Sequence, residues 1–127
     1  MDMMKQEIKA EWVTALRSGD YQQALRMLFR VEDGEVTGHC CLGVLTDLYL
    51  KDKDLTLTEL RNSDGDSEYL TKAVREWSGL SEADPEVEAR SDYSEVAREN
   101  LSTLNDGSTH LGQLNFLQIA TLIEGSL

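Results

Sequence analysis

The stretch HCCLGVLTDLYL, residues 39–50, is the densest hydrophobic segment of an otherwise acidic chain. Cys41, Leu45, Leu48 and Tyr49 repeat at helical spacing, and Leu42 and Val44 widen the apolar stripe. So broad a stripe predicts a buried helix over about residues 40–50, central to the fold. Gly43 costs such a helix roughly 1 kcal/mol of propensity. Its presence there points to close approach by another backbone. The segment also carries both cysteines and His39, one of the two histidines. Any thiol or metal chemistry has to start here.

Upstream, residues 4–17 read as an amphipathic helix, with Ile8, Trp12, Ala15 and Leu16 on one face. Gly19 sits where a helix C-cap glycine belongs. Asp20 then starts a second helix or turn, with Tyr21, Ala24, Leu25 and Leu28 as its apolar stripe. The alternative is that 26–32 is already extended. Asp33-Gly34 is a two-residue hairpin signal that pairs Val31 with Val36 and Glu32 with Glu35. The return strand, from Glu35 to about His39, delivers the chain into Cys40.

Downstream, Leu55 and Leu57 alternate with Thr56 and Thr58, which suggests a short strand. A polar loop around Asp64-Gly65 leads to a helix that Asp66 or Ser67 starts and Gly79 ends. Leu70, Ala73, Val74 and Trp77 form its inner face. Residues 81–99 hold seven acids and the sole proline, Pro85, and read as an exposed excursion, loop or partly ordered. Helix resumes over about 94–104. Asn105-Asp106-Gly107 is a turn, followed by a loop through 107–115. Asn115 caps the last helix with Gln118 as its capping-box partner. Phe116, Ile119, Ala120 and Ile123 face inward, and Gly125 closes the helix. The whole is a mainly helical α+β fold: a single compact domain over 1–127 with about four to five helices and a small β-hairpin.

Composition narrows the function classes. The 127 residues carry 24 Asp and Glu against 12 Lys and Arg, a net charge of −12. Such a surface repels nucleic-acid phosphates, so direct nucleic-acid binding is not expected. No apolar run is long enough to span a membrane, and the N-terminus lacks a secretory signal. A cytoplasmic location is the expectation. Adjacent Cys40 and Cys41 cannot readily bridge each other, so both are expected as free thiols.

Each candidate site has a plain structural explanation beside it. Cys40 or Cys41 at a helix N-terminus, with His39 or His110 as base, would make a thiol nucleophile. Free cysteine is equally at home as a small buried hydrophobe, and that explanation is preferred. Zinc would need four ligands at regular spacing, which the chain lacks. Asn62, Asp64, Asp66 and Glu68 alternate around Gly65, but a calcium loop needs glycine later and a glutamate where Ala73 stands. No metal or cofactor is expected. Asn105, Asp106 and His110 are the candidate binding residues, although Asn and Asp also serve turns by bonding their own backbone. Neither a phosphate-cradling glycine loop nor a nucleophile elbow occurs.

The segments also resemble, in order and spacing, a family of small proteins encoded by tailed bacteriophages and prophages. The shared pattern is a Trp-x-x-Ala-Leu helix followed by Ser-Gly and Tyr, here WVTALRSGDY at 12–21. A CCLGVL segment follows at 40–45, with Asp47-Leu48 after it, then a Val-Arg-Glu-Trp-x-Gly-Leu segment at 74–80. The family closes on Leu-Asn-Asp, here 104–106, and a Phe-x-x-Ile-Ala helix, here 116–124. This chain departs from the pattern between Gly107 and Asn115, where its loop is longer and carries His110. The resemblance brings no catalytic residues or ligand. It implies a phage-encoded accessory role in a bacterial host, by host takeover or counter-defence. The target would be a host or defence protein, or a small signalling nucleotide. A homo-oligomer is compatible with the sequence. The alternatives are an acidic mimic that blocks a basic nucleic-acid site, and a thiol-dependent enzyme using Cys40 or Cys41. The binding surface is expected at 81–99 or 107–115.

Overall fold

The computed structural model describes residues 4–64, 68–90, 96–107 and 113–127. Its elements run α1 (Gln6–Arg17), β1 (Phe29–Glu32), β2 (Glu35–His39), α2 (Cys41–Lys53), α3 (Leu57–Asp64), α4 (Lys72–Ser78), β3 (Glu86–Arg90), β4 (Val96–Asn100), α5 (Leu101–Asp106) and α6 (Phe116–Ser126). The fold is α+β and mainly helical. It has six helices and two separate two-stranded antiparallel sheets among the described residues, one helix and one hairpin more than expected. No described helix is long and apolar enough to cross a membrane.

Helix α2 is the hub. Cys41, Leu42, Gly43, Val44, Leu45 and Thr46 are all buried, and α2 touches α1, α4, α5 and β2. Helices α1 and α6 pack on each other. Trp12 of α1 is fully buried, and its Nε1–H donates to the Cys41 carbonyl at 2.9 Å. The indole thus fills the core and satisfies its polar atom there. The close backbone approach predicted for Gly43 is found: a Cβ at that position would lie 1.9 Å from the Leu28 carbonyl oxygen. That oxygen also accepts the Cys40 N–H at 3.2 Å. Asn105 closes the same junction. Its Oδ1 accepts the Cys41 N–H at 3.2 Å, and its Nδ2 donates to the Ala24 carbonyl at 2.9 Å.

Several local expectations hold. The first hairpin pairs Val31 with Val36 and Glu32 with Glu35, with a bulge between Arg30 and Val31. Asn115 and Gln118 form the reciprocal capping box of α6. Gly79 ends α4 in the left-handed conformation.

Other expectations are corrected. Residues 21–28 do not form a helix, because their backbone finds distant partners. Ala24 N–H donates to the His39 carbonyl at 2.7 Å, and His39 N–H donates to the Gln22 carbonyl at 2.8 Å. Arg26, at φ 65°, donates its N–H to Asp106 Oδ1 at 2.9 Å. The alternation at 55–58 is a helix start, not a strand. Thr56 Oγ1 accepts the Glu59 N–H at 3.1 Å, and Glu59 Oε1 accepts the Thr56 N–H at 3.2 Å. That reciprocal pair is a capping box for α3. Helix α4 begins after Thr71, whose side chain caps it, not after Asp66 or Ser67. The acidic excursion is largely the hairpin β3–β4. Val87 is fully buried, and Glu88 N–H donates to Ser126 Oγ at 3.0 Å, which ties the hairpin to the end of α6. Residues 96–104 are therefore strand and then helix, and Asn105 and Asp106 complete the last turn of α5 before Gly107 caps it.

Gly43→Ala separates two opposed effects. Helix propensity alone would stabilise the variant by about 1 kcal/mol. The clash with the Leu28 carbonyl should outweigh this and leave a net loss of about 3 kcal/mol, read as a lower denaturation midpoint. A variant as stable as the parent would contradict the packing described.

Candidate functional site

The thiols lie at the buried end of α2. Cys40 is the N-cap residue, and its Sγ accepts the Gly43 N–H at 3.4 Å. Cys41 is completely buried, with Sγ 3.7 Å from the Leu101 carbonyl. Burial pushes the Cys40 thiol up to about 11 and raises Cys41 well above its ordinary value. The cavity beside Cys40 has a volume of only about 20 Å³, room for about one water. Both groups pack as protonated small hydrophobes.

Asn105 is fully buried. Besides Cys41 and Ala24, it accepts from Gln23 Nε2 at 3.0 Å and donates to Asp106 Oδ1 at 3.0 Å. Its amide is occupied by structural bonds. Asp106 is half-buried and holds the strained Arg26 backbone. His110 lies outside the described residues, as do Gly65 and Asp66; Asn62 and Asp64 fall at the end of α3, where a polar loop was expected. No group of three or more His, Cys, Asp or Glu able to hold a metal occurs among the described residues.

His39 lies elsewhere, in an open cleft of about 740 Å³ between α1 and the exposed half of α2. Tyr21, from the chain after α1, enters the cleft beside it. The Tyr21 and His39 rings meet edge to face at 4.8 Å, and Phe29 backs the imidazole at 5.1 Å. The Tyr21 hydroxyl donates to Asp47 Oδ2 at 2.6 Å. Lys51, one turn along α2 from Asp47, donates to the same Oδ2 at 3.1 Å and to the Tyr21 hydroxyl at 3.3 Å. Leu48 adds apolar wall, and Glu11 and Asp20 stand at exposed positions in the lining.

The electrostatics fix the protonation states. Burial, then the hydrogen bond to Asp47, raises Tyr21. The bond to Asp47 raises Lys51. Burial lowers His39 below its usual value, against the opposing pull of Asp47. At neutral pH the cleft therefore presents a phenol, an ammonium and a neutral imidazole around Asp47. The His39 Nδ1 is buried and has no hydrogen-bond partner among the described residues. This set can hold and orient a polar ligand, but its Tyr and Lys are not activated for attack.

The cleft residues were only partly visible in sequence. Asp47 and Lys51 are an i,i+4 pair of opposite charge set into an apolar run. An ionic pair beside buried helix faces was the available signal. Tyr21 joins them across 26 positions, and no local pattern announces that.

Residues 4–127 match a family model described as a domain of unknown function, DUF8296. No curated protein and no solved structure matches the chain.

Two measurements check the site chemistry. Cys40 and Cys41 are expected to resist iodoacetamide at neutral pH until the protein is unfolded; rapid labelling of the native chain would contradict their burial. For His39 the folded value lies below the unfolded one. Stability is therefore full above the unfolded value of about 6.5 and falls as acid protonates the unfolded chain first. Urea midpoints should drop between about pH 7 and pH 5, and His39→Gln should flatten that slope. An unchanged slope would show that His39 is not shifted.

Proposed function

We propose that this chain, which belongs to the DUF8296 family, acts by binding and that its ligand seats in the cleft between α1 and α2. The supporting observation is the cleft itself. Its volume of about 740 Å³ falls within the range of ligand sites, and Tyr21, Asp47 and Lys51 converge in it through direct hydrogen bonds. Binding sites are built this way: an apolar wall, an aromatic surface and a few positioned polar groups. Burial of both thiols speaks against the thiol-dependent alternative.

The resemblance to phage and prophage proteins supports placing this binding in host takeover or counter-defence, inside the bacterial cell. A host or defence protein suits the cleft better than a signalling nucleotide. Glu11, Asp20 and Asp47 contribute carboxylates to the lining, and Lys51 is the sole ammonium among the described lining residues. A phosphate entering there would meet net repulsion.

Thr14 is exposed and lines the cleft, so Thr14→Trp fills the cleft without touching the core. Immobilised wild-type protein should retain a partner from bacterial lysate that T14W loses by about tenfold or more. Lys72→Ala, whose side chain is 80% exposed on α4 and outside the cleft lining, should bind as the wild type does. Equal retention by T14W, with an unchanged melting temperature, would place the ligand elsewhere.

A further inference from the structure

We infer that the cleft takes a guanidinium-bearing ligand, held between the Tyr21 ring and the Asp47 carboxylate. This inference rests on the binding role proposed above and adds the chemistry of the ligand.

Three observations carry it. The charge of the lining is uneven: Lys51 pairs with Asp47, whereas the carboxylates of Glu11 and Asp20 make no ion pair or hydrogen bond with the described residues. These carboxylates would attract an incoming cation. The cleft also offers aromatic surface, because the Tyr21 and His39 rings stand perpendicular with centroids 4.8 Å apart. A cation is favoured over the face of such a ring.

The third observation is the protein's own cation. Lys51 Nζ lies 5.5 Å from the Tyr21 ring centroid while it bonds the hydroxyl and Asp47 Oδ2. It occupies the place that an external cation would want. Its side chain is 68% exposed, so it can swing into water at little cost. The bonds from Tyr21 and Lys51 both end on Oδ2 of Asp47, so neither takes Oδ1. A guanidinium suits this arrangement better than a second ammonium. It is planar and weakly hydrated, stacks on an aromatic ring, and bonds a carboxylate through parallel N–H groups. The guanidinium could be a free small molecule or an arginine side chain on a polypeptide.

The test is a titration of the full isotope-labelled chain, followed by backbone amide shifts. Agmatine probes the free cation, a blocked Gly-Arg-Gly tripeptide probes the arginine side chain, and cyclic AMP is the anionic control. One or both guanidinium probes should shift the amides around Glu11, Tyr21 and Lys51 saturably, and added salt should weaken the response. Asp47→Asn and Tyr21→Leu should each weaken binding about tenfold or more. Glu11→Gln, at an exposed position that cannot disturb folding, should weaken it about twofold to fivefold. The tighter probe identifies the source. Absence of a saturable shift with both guanidinium probes overturns the inference, as does undiminished binding by the variants. If cyclic AMP moves the cleft amides and the cations do not, the cleft remains the site and the guanidinium assignment fails. If the probes move amides only outside the cleft, both conclusions fail.

Discussion

The carbonyl of Leu28 presses on helix α2 where Gly43 has no side chain, and the rest of the structure is arranged around that contact. The approach is too close for any Cβ. It lets the chain before β1 lie directly on the first turn of α2. From there the Leu28 oxygen receives the Cys40 N–H, and Asn105 bonds both the Cys41 N–H and the Ala24 carbonyl. Three segments distant in sequence thus meet at one helix end. The Cys40 and Cys41 N–H groups and the Ala24 carbonyl each have a partner there, without which each would cost about 1–3 kcal/mol.

The same junction explains how one helix serves two purposes. The first half of α2 is buried and meets Trp12 of α1 and Leu101 and Asn105 of α5. Its second half emerges and carries Asp47, Leu48 and Lys51 into the cleft. With the buried half fixed, Asp47 and Lys51 are held in place relative to α1. The irregular path of residues 21–28 follows from the same constraint. Pinned at Ala24, Arg26 and Leu28, that segment cannot wind into a helix, and it brings Tyr21 to within 2.6 Å of Asp47. A second helix there would have no such reason to deliver the phenol.

Legibility in the sequence followed the range of the interactions. Local signals were readable: Asp33-Gly34 gave the hairpin register, Asn115 and Gln118 the cap of α6, and the apolar run at 40–50 the central helix. The stretch at 55–58 was misread although its signal is local, because Thr56 and Glu59 spell a capping box that the Leu/Thr alternation obscures. Residues 21–28, 86–90 and 96–100 depart from their sequence reading for a different reason. Residues 21–28 are held by His39 and Asp106, and the strands β3 and β4 pair with each other and are tied to Ser126, contacts that no local pattern announces. The cleft depends on the same kind of long-range contact. The thiols, conspicuous in sequence, are buried, whereas nothing local marks Tyr21 and Lys51 as site residues.

The division of α2 into a locked half and a working half can be measured by native-state hydrogen exchange. The amides of Cys41, Val44 and Leu45 should exchange only through global unfolding, and those of Asp52 and Lys53 should exchange earlier through local opening. Exchange of all these amides at one common fast rate would contradict the account, because the Leu28–Gly43 contact would then anchor nothing.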